Sequence, residues 1–129
     1  MTAAFWIAFV ATLATLAGAL WTGFRRRRRA HLLLGPVSLV CLAVAILLAE
    51  RLASVRDFPR EPLRIHLWFA KSGALLALPV IVTGLLLWRS PRWRVAHRVC
   101  VVLFVAVTLI ATGTGLWIFS QSTPKALGG

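Results

Sequence analysis

Among the side chains of this sequence, the three histidines, His31, His66 and His97, are the ones best suited to chemistry. Two of them sit in matching surroundings. His31 follows the basic run Arg25-Arg26-Arg27-Arg28-Arg29-Ala30. His97 follows Arg92-Trp93-Arg94-Val95-Ala96, 66 positions later. Each closes a basic turn and opens a long apolar segment. Neutral imidazole is a common metal ligand near neutral pH, so a matched pair is a candidate ligand set for one metal centre.

The match extends beyond the histidines. Laid without a gap over 83–116, residues 17–50 align Gly18 with Gly84, Leu20 with Leu86, Arg26 with Arg92 and Arg28 with Arg94. Ala30 then meets Ala96, His31 meets His97 and Ala45 meets Ala111. The pattern reads as two copies of a helix–turn–helix unit, each delivering one histidine to the same depth.

Composition sets the environment of these units. The chain has 129 residues, 60% of them hydrophobic, with a mean hydropathy of +0.85, too apolar for a soluble domain of this size. Fifteen Lys and Arg against three acids give a formal charge of +12. In a soluble protein such a charge would point to nucleic acid. Here the arginines fall between apolar runs, so topology and attraction to anionic lipid are the better reading, with no nucleic-acid partner.

The expected fold is an all-α four-helix transmembrane up-down bundle, a single domain over residues 1–129. Its spans are about 3–23, 30–49, 65–88 and 95–119, with a polar tail at 120–129. Ser90-Pro91 reads as a helix start, and the charged connector 50–64 as the longest turn. The first span is not a signal peptide, because its basic residues follow the apolar run rather than precede it. Arg25 to Arg29, Arg89, Arg92, Arg94 and Arg98 lie on one side. Arg51, Arg56, Arg60, Arg64, Lys71 and Lys125 lie on the other. The positive-inside rule then places both Ala-His turns in the cytoplasm and both termini outside, in a bacterial cytoplasmic membrane.

Several chemistries lack their residues. No Asp or Glu lies within a span, so an acid-driven carrier has no proton site. Cys41 and Cys100 form no Cys-x-x-Cys motif, and there is no Cys-x-x-Cys-His for covalent haem. Both cysteines read as small packing residues. The Arg run lacks a Gly-rich phosphate loop.

What remains fits one non-covalent haem b, whose iron takes an imidazole on each face. His31 and His97 are the expected axial ligands. Gly18 and Gly84 each precede their histidine by 13 residues and return to its depth on the adjacent helix, where they would let the flat macrocycle approach the backbone. Arg26, Arg28, Arg92 and Arg94 would neutralise the propionates. Gly113 and Gly115 lie toward the opposite end, far from this pair.

These residues resemble a known family. The segments His31-Leu32-Leu33-Leu34-Gly35, Thr83-Gly84-Leu85-Leu86-Leu87-Trp88 and Ala96-His97-Arg98 are similar to those of the small membrane-embedded b-type cytochromes of the cytochrome b561-like kind. The resemblance implies electron transfer through the bilayer, often between quinol and a partner redox centre. Many family members carry two haems on four histidines. This chain has three, with none in the first helix, so one haem is expected.

The implied role is an electron carrier rather than a stand-alone enzyme. Its partners would be membrane lipid and either other redox membrane subunits or a second copy in a homodimer. His66, with Lys71 and Glu50, forms a polar cluster at the outer end and is a candidate quinone or second site. The competing reading is a cofactor-free structural subunit of a membrane complex, packing through a small-residue face such as Gly113-Thr114-Gly115.

Overall fold

A computed structural model of the protein describes residues 2–125. Four helices account for nearly all of them: α1 (Thr2–Phe24), α2 (Arg28–Val55), α3 (Arg60–Arg89) and α4 (Arg94–Ser120). Two-residue extended segments, β1 (Arg56–Asp57) and β2 (Thr123–Pro124), complete the regular structure. All four helices are long and apolar enough to cross a membrane, with mean hydropathies of 2.0, 2.7, 1.8 and 2.4 in chain order. The shortest, α1 at 23 residues, reaches about 35 Å at 1.5 Å per residue. The all-α class with four membrane-length helices is therefore the one expected, and it fits an integral membrane protein.

The chain divides into two compact units, residues 2–56 and 57–125 among those described. The first is the hairpin of α1 and α2, and the second the hairpin of α3 and α4. Each contains one of the two stretches aligned in the sequence, 17–50 and 83–116. Large apolar side chains face outward along both, among them Leu75 (67% exposed) and Val10 (60%). Such faces need an apolar solvent, which hydrocarbon supplies. Buried threonines are satisfied internally. Thr12 donates to the carbonyl of Ala8 at 2.8 Å and Thr22 to that of Gly18 at 2.8 Å. Back-bonding of this kind lets a hydroxyl sit at membrane depth without an orphan donor.

Three expected boundaries shift. The connector 50–64 shrinks to 56–59, because α2 continues to Val55 and α3 begins at Arg60. Helices need not stop where hydrocarbon does, and Glu50 and Arg51 are carried as exposed helical residues. Pro62 is tolerated because it falls in the first turn of α3, where its missing N–H has no intrahelical partner to lose. Ser90-Pro91 opens a helix as expected, but the opening is a 3-10 turn, Pro91–Trp93, and α4 itself starts at Arg94. The tail expected at 120–129 is described as far as Lys125, and residues 126–129 lie outside the described range.

The turn of the first hairpin has a defined cap. The N–H of Arg27 reaches the carbonyl of Thr22 at 2.9 Å, and that of Arg26 the carbonyl of Gly23 at 3.2 Å. This is the Schellman pattern, which needs a left-handed residue at its penultimate position. Arg26 supplies it with φ of 55°. Glycine would adopt that conformation without the steric cost that a Cβ brings, about 1–2 kcal/mol.

Candidate functional site: three histidine platforms

Each histidine lies on the neighbouring helix of its own hairpin, on a platform of one design. The platform has a Thr-Gly pair and, in two of the three, the carbonyl three residues before the threonine. In the first hairpin it is Ala19, Thr22 and Gly23. In the second it is Thr83 and Gly84 on α3, and Ala111, Thr114 and Gly115 on α4.

His31, the fourth residue of α2, places Nδ1 2.8 Å from the carbonyl oxygen of Ala19. A Cβ added at Gly23 would stand 3.2 Å from that same nitrogen. His97, the fourth residue of α4, places Nδ1 3.1 Å from the Thr83 hydroxyl, and a Cβ at Gly84 would stand 3.3 Å from its Cε1. His66, near the start of α3, has Nδ1 3.0 Å from the Ala111 carbonyl and 3.2 Å from the Thr114 hydroxyl. A Cβ at Gly115 would stand 3.0 Å from its Cε1. All three rings are half-buried. In each case the ring lies so close to the glycine that a Cβ there would press on it.

The two contacts to carbonyl oxygens require a proton on Nδ1. A carbonyl only accepts, so His31 and His66 present Nδ1–H. The Thr83 hydroxyl donates to the carbonyl of Pro79 at 2.6 Å. Its lone pairs are left to accept from Nδ1–H of His97. Thr114 donates in the same way to Ile110 at 2.9 Å. A neutral imidazole whose Nδ1–H is held by an outer partner carries its lone pair on Nε2, the nitrogen a metal would take. Among the described residues no three metal-ligating side chains cluster. A haem iron needs no such cluster, because the porphyrin supplies four nitrogens and the protein only axial imidazoles. Taken singly, each platform fits that task.

The expected counterpart of Gly84 was Gly18, and here the structure differs. A Cβ at Gly18 would meet Leu34, at 3.2 Å, and not His31. Gly23 is the residue against His31. The gapless register fails because α3 runs five residues past Gly84 to Arg89, whereas α1 runs one past Gly23 to Phe24. The four extra helical residues rise about 6 Å, and the 3-10 turn Pro91–Trp93 on the other side of the loop also rises about 6 Å. The second hairpin is thus longer by one turn on each arm, and its histidine returns to its own Thr-Gly pair. Thr22-Gly23, Thr83-Gly84 and Thr114-Gly115 were the signal in the sequence that marks all three platforms.

The four arginines expected near the site lie at the two turns. Arg26 is in the Schellman turn and Arg28 is the first residue of α2. Arg94 is the first residue of α4, and Arg92 stacks its guanidinium 5.9 Å from the ring centre of Trp93. All four are exposed, and neither α2 nor α4 has an acid in its first turn. Cations at the positive end of a helix dipole are unfavourable, so both turns attract anions strongly. At the other end, Lys71 and His66 do not share a face of α3. Lys71 is exposed and lies about 140° around α3 from His66 at 100° per residue. Glu50 is exposed near the end of α2, in the other unit. The residues against His66 are instead Ala111, Thr114 and Gly115.

In comparisons with protein-family models, curated proteins and solved structures, the chain has no match.

Proposed function

We propose that the protein is a membrane haem b electron-transfer protein of the cytochrome b561-like kind. It would bind one low-spin haem through His31 and His97 and serve as a subunit or partner of a quinone-linked redox system. The observation that carries this reading is the shared platform, which gives both histidines an Nδ1–H held by an outer acceptor and an Nε2 with its lone pair. Held this way, an imidazole is oriented before the ligand arrives and its basicity toward iron is raised. The bound haem would supply a one-electron couple. The protein would supply two axial imidazoles, and guanidinium groups to receive propionates at Arg26, Arg28, Arg92 and Arg94. The wild-type protein purified in detergent should show the reduced-minus-oxidised spectrum of low-spin b-type haem. A colourless protein that still folds and inserts would favour the cofactor-free structural subunit.

We place both basic turns in the cytoplasm and both termini outside, in a bacterial cytoplasmic membrane. The nine arginines at those two turns support this orientation. A reporter fused after Gly129 should read as external, and a cytoplasmic signal would invert the protein.

Arg26 separates stability from cofactor affinity. Arg26→Gly relieves the left-handed Cβ and should raise stability in detergent by about 1 kcal/mol, measured by thermal unfolding of the apoprotein. If Arg26 also neutralises a propionate, the same variant should hold haem less tightly. A rise in both stability and haem affinity would remove Arg26 from the propionate site.

A further inference from the structure

The proposed haem site does not use every guanidinium of the two basic turns. Arg25, Arg27 and Arg29 of the first turn, and Arg89 and Arg98 of the second, have no part in it. The two turns also differ in charge density. Arg25 to Arg29 are five consecutive cations, all exposed, at the short link between α1 and α2. The second turn spreads Arg89, Arg92, Arg94 and Arg98 over a longer stretch. The axes of packed helices lie about 8–10 Å apart, so the backbone carrying the five charges spans little more than a Debye length of about 8 Å. No acidic side chain of that hairpin relieves them. The chain's acids are Glu50, Asp57 and Glu61. Glu50, in the same hairpin, stands six turns along α2 from Arg28, about 33 Å away at 1.5 Å per residue.

The link holds its backbone without help from these side chains. Main-chain N–H groups cap the end of α1, that of Arg25 on the carbonyl of Trp21 at 2.9 Å and that of Arg27 on the carbonyl of Thr22 at 2.9 Å. The Arg25 guanidinium lies 4.7 Å from the ring centre of Trp21, an indole that is 58% exposed. Phe24 is more exposed still. Tryptophan at the end of a membrane-length helix sits at headgroup level. The cations of the link therefore stand at the depth of lipid phosphates, with exposed apolar rings beside them.

We propose that the first turn binds one anionic phospholipid carrying two phosphodiester groups, through Arg25, Arg27 and Arg29, with its acyl chains against Trp21 and Phe24. Guanidinium groups bind phosphate oxygens in pairs of parallel hydrogen bonds. One phosphodiester brings a single negative charge and leaves most of the repulsion among five cations, whereas a second on the same lipid relieves more of it. The proposal stands whether or not Arg26 and Arg28 receive propionates. It also differs from the diffuse attraction of basic residues to an anionic bilayer, which acts at both turns.

The full-length protein, loaded from mixed micelles of diphosphatidylglycerol and phosphatidylcholine and then exchanged into lipid-free detergent at physiological ionic strength, tests this by native mass spectrometry. One diphosphatidylglycerol per chain should remain bound, and phosphatidylcholine should not. The Arg25→Gln, Arg27→Gln, Arg29→Gln triple variant should weaken retention by roughly 150-fold, at about fivefold for each guanidinium. Lysine at the same three positions keeps the charge that insertion needs and should keep most of the binding. Arg89→Gln with Arg98→Gln should leave retention unchanged. An equal loss from that second pair would mean diffuse attraction and overturn the proposal. The wild-type protein alone also decides it: equal retention of phosphatidylglycerol, which has one phosphodiester, would overturn the two-phosphate site. Displacement of the lipid by inorganic phosphate would assign the turn to a soluble anion and overturn the lipid.

Discussion

His31→Ala and His97→Ala are each expected to abolish the low-spin haem spectrum, and the double variant should add nothing to either. A bis-imidazole iron loses its low-spin state when one axial ligand goes, so the effect of one deletion is nearly the whole effect. Removing the outer partner should cost less. Thr83→Val leaves Nδ1–H of His97 facing a methyl group in place of the hydroxyl oxygen 3.1 Å away. Loss of an outer-shell partner typically weakens metal affinity by about 10–100-fold. Thr83→Ser keeps the oxygen and should restore most of the affinity. The corresponding acceptor for His31 is a backbone carbonyl, that of Ala19, and no side-chain substitution removes it. On the proposed reading the two histidines should therefore respond unequally to mutation of the neighbouring threonines: Thr83→Val should weaken haem binding more than Thr22→Val. Haemin titration, with the low-spin Soret band as readout, checks the order. Full retention of low-spin haem in the His31→Ala, His97→Ala double variant would remove both residues from the iron.

Much of this was legible in the sequence because bilayers impose simple rules. Four apolar runs of membrane length gave four helices, and the basic turns marked the two hairpins, since chain length and charge dominate in that solvent. The histidine positions were legible as well, because both follow a basic turn by the same spacing. The small residues beneath the rings were only half legible. Gly84 lies against His97, whereas it is Gly23 and not Gly18 that lies against His31. Periodicity fixes which residues share a face, but the depth at which an antiparallel helix returns depends on turn length. A 3-10 turn over Pro91–Trp93 and an extra turn of α3 altered that depth without changing the 66-residue spacing of the histidines. The platform of His66 was missed for a different reason. Its partners on α4 come 45 to 49 positions later and carry no charge, so neither local spacing nor composition points to them.

The glycine substitutions have the second large expected effect, and they separate the two registers. Gly23→Leu and Gly84→Leu should each give an inserted chain with much less low-spin haem. At Gly23 the first carbon of the new side chain would lie 3.2 Å from Nδ1 of His31, and at Gly84 3.3 Å from Cε1 of His97. Either approach is tighter than ordinary contact before the rest of the leucine is placed, so the ring must shift on its platform. Overpacking of this kind costs about 1–3 kcal/mol, or roughly 5–150-fold in an equilibrium. Insertion should survive, because leucine is more favourable than glycine within a span. Gly18→Leu meets only the end of the flexible Leu34 side chain, and a Cβ at Gly113 meets nothing within 4 Å. Both leucine variants should therefore keep most of the low-spin haem, with Gly113→Leu the milder of the two. The measurement is the haem-to-protein ratio of each variant purified from membranes, beside its yield in the membrane fraction. If Gly18→Leu strips haem as thoroughly as Gly84→Leu while Gly23→Leu does not, the gapless register governs the cofactor site. The Thr22-Gly23 platform would then be packing alone.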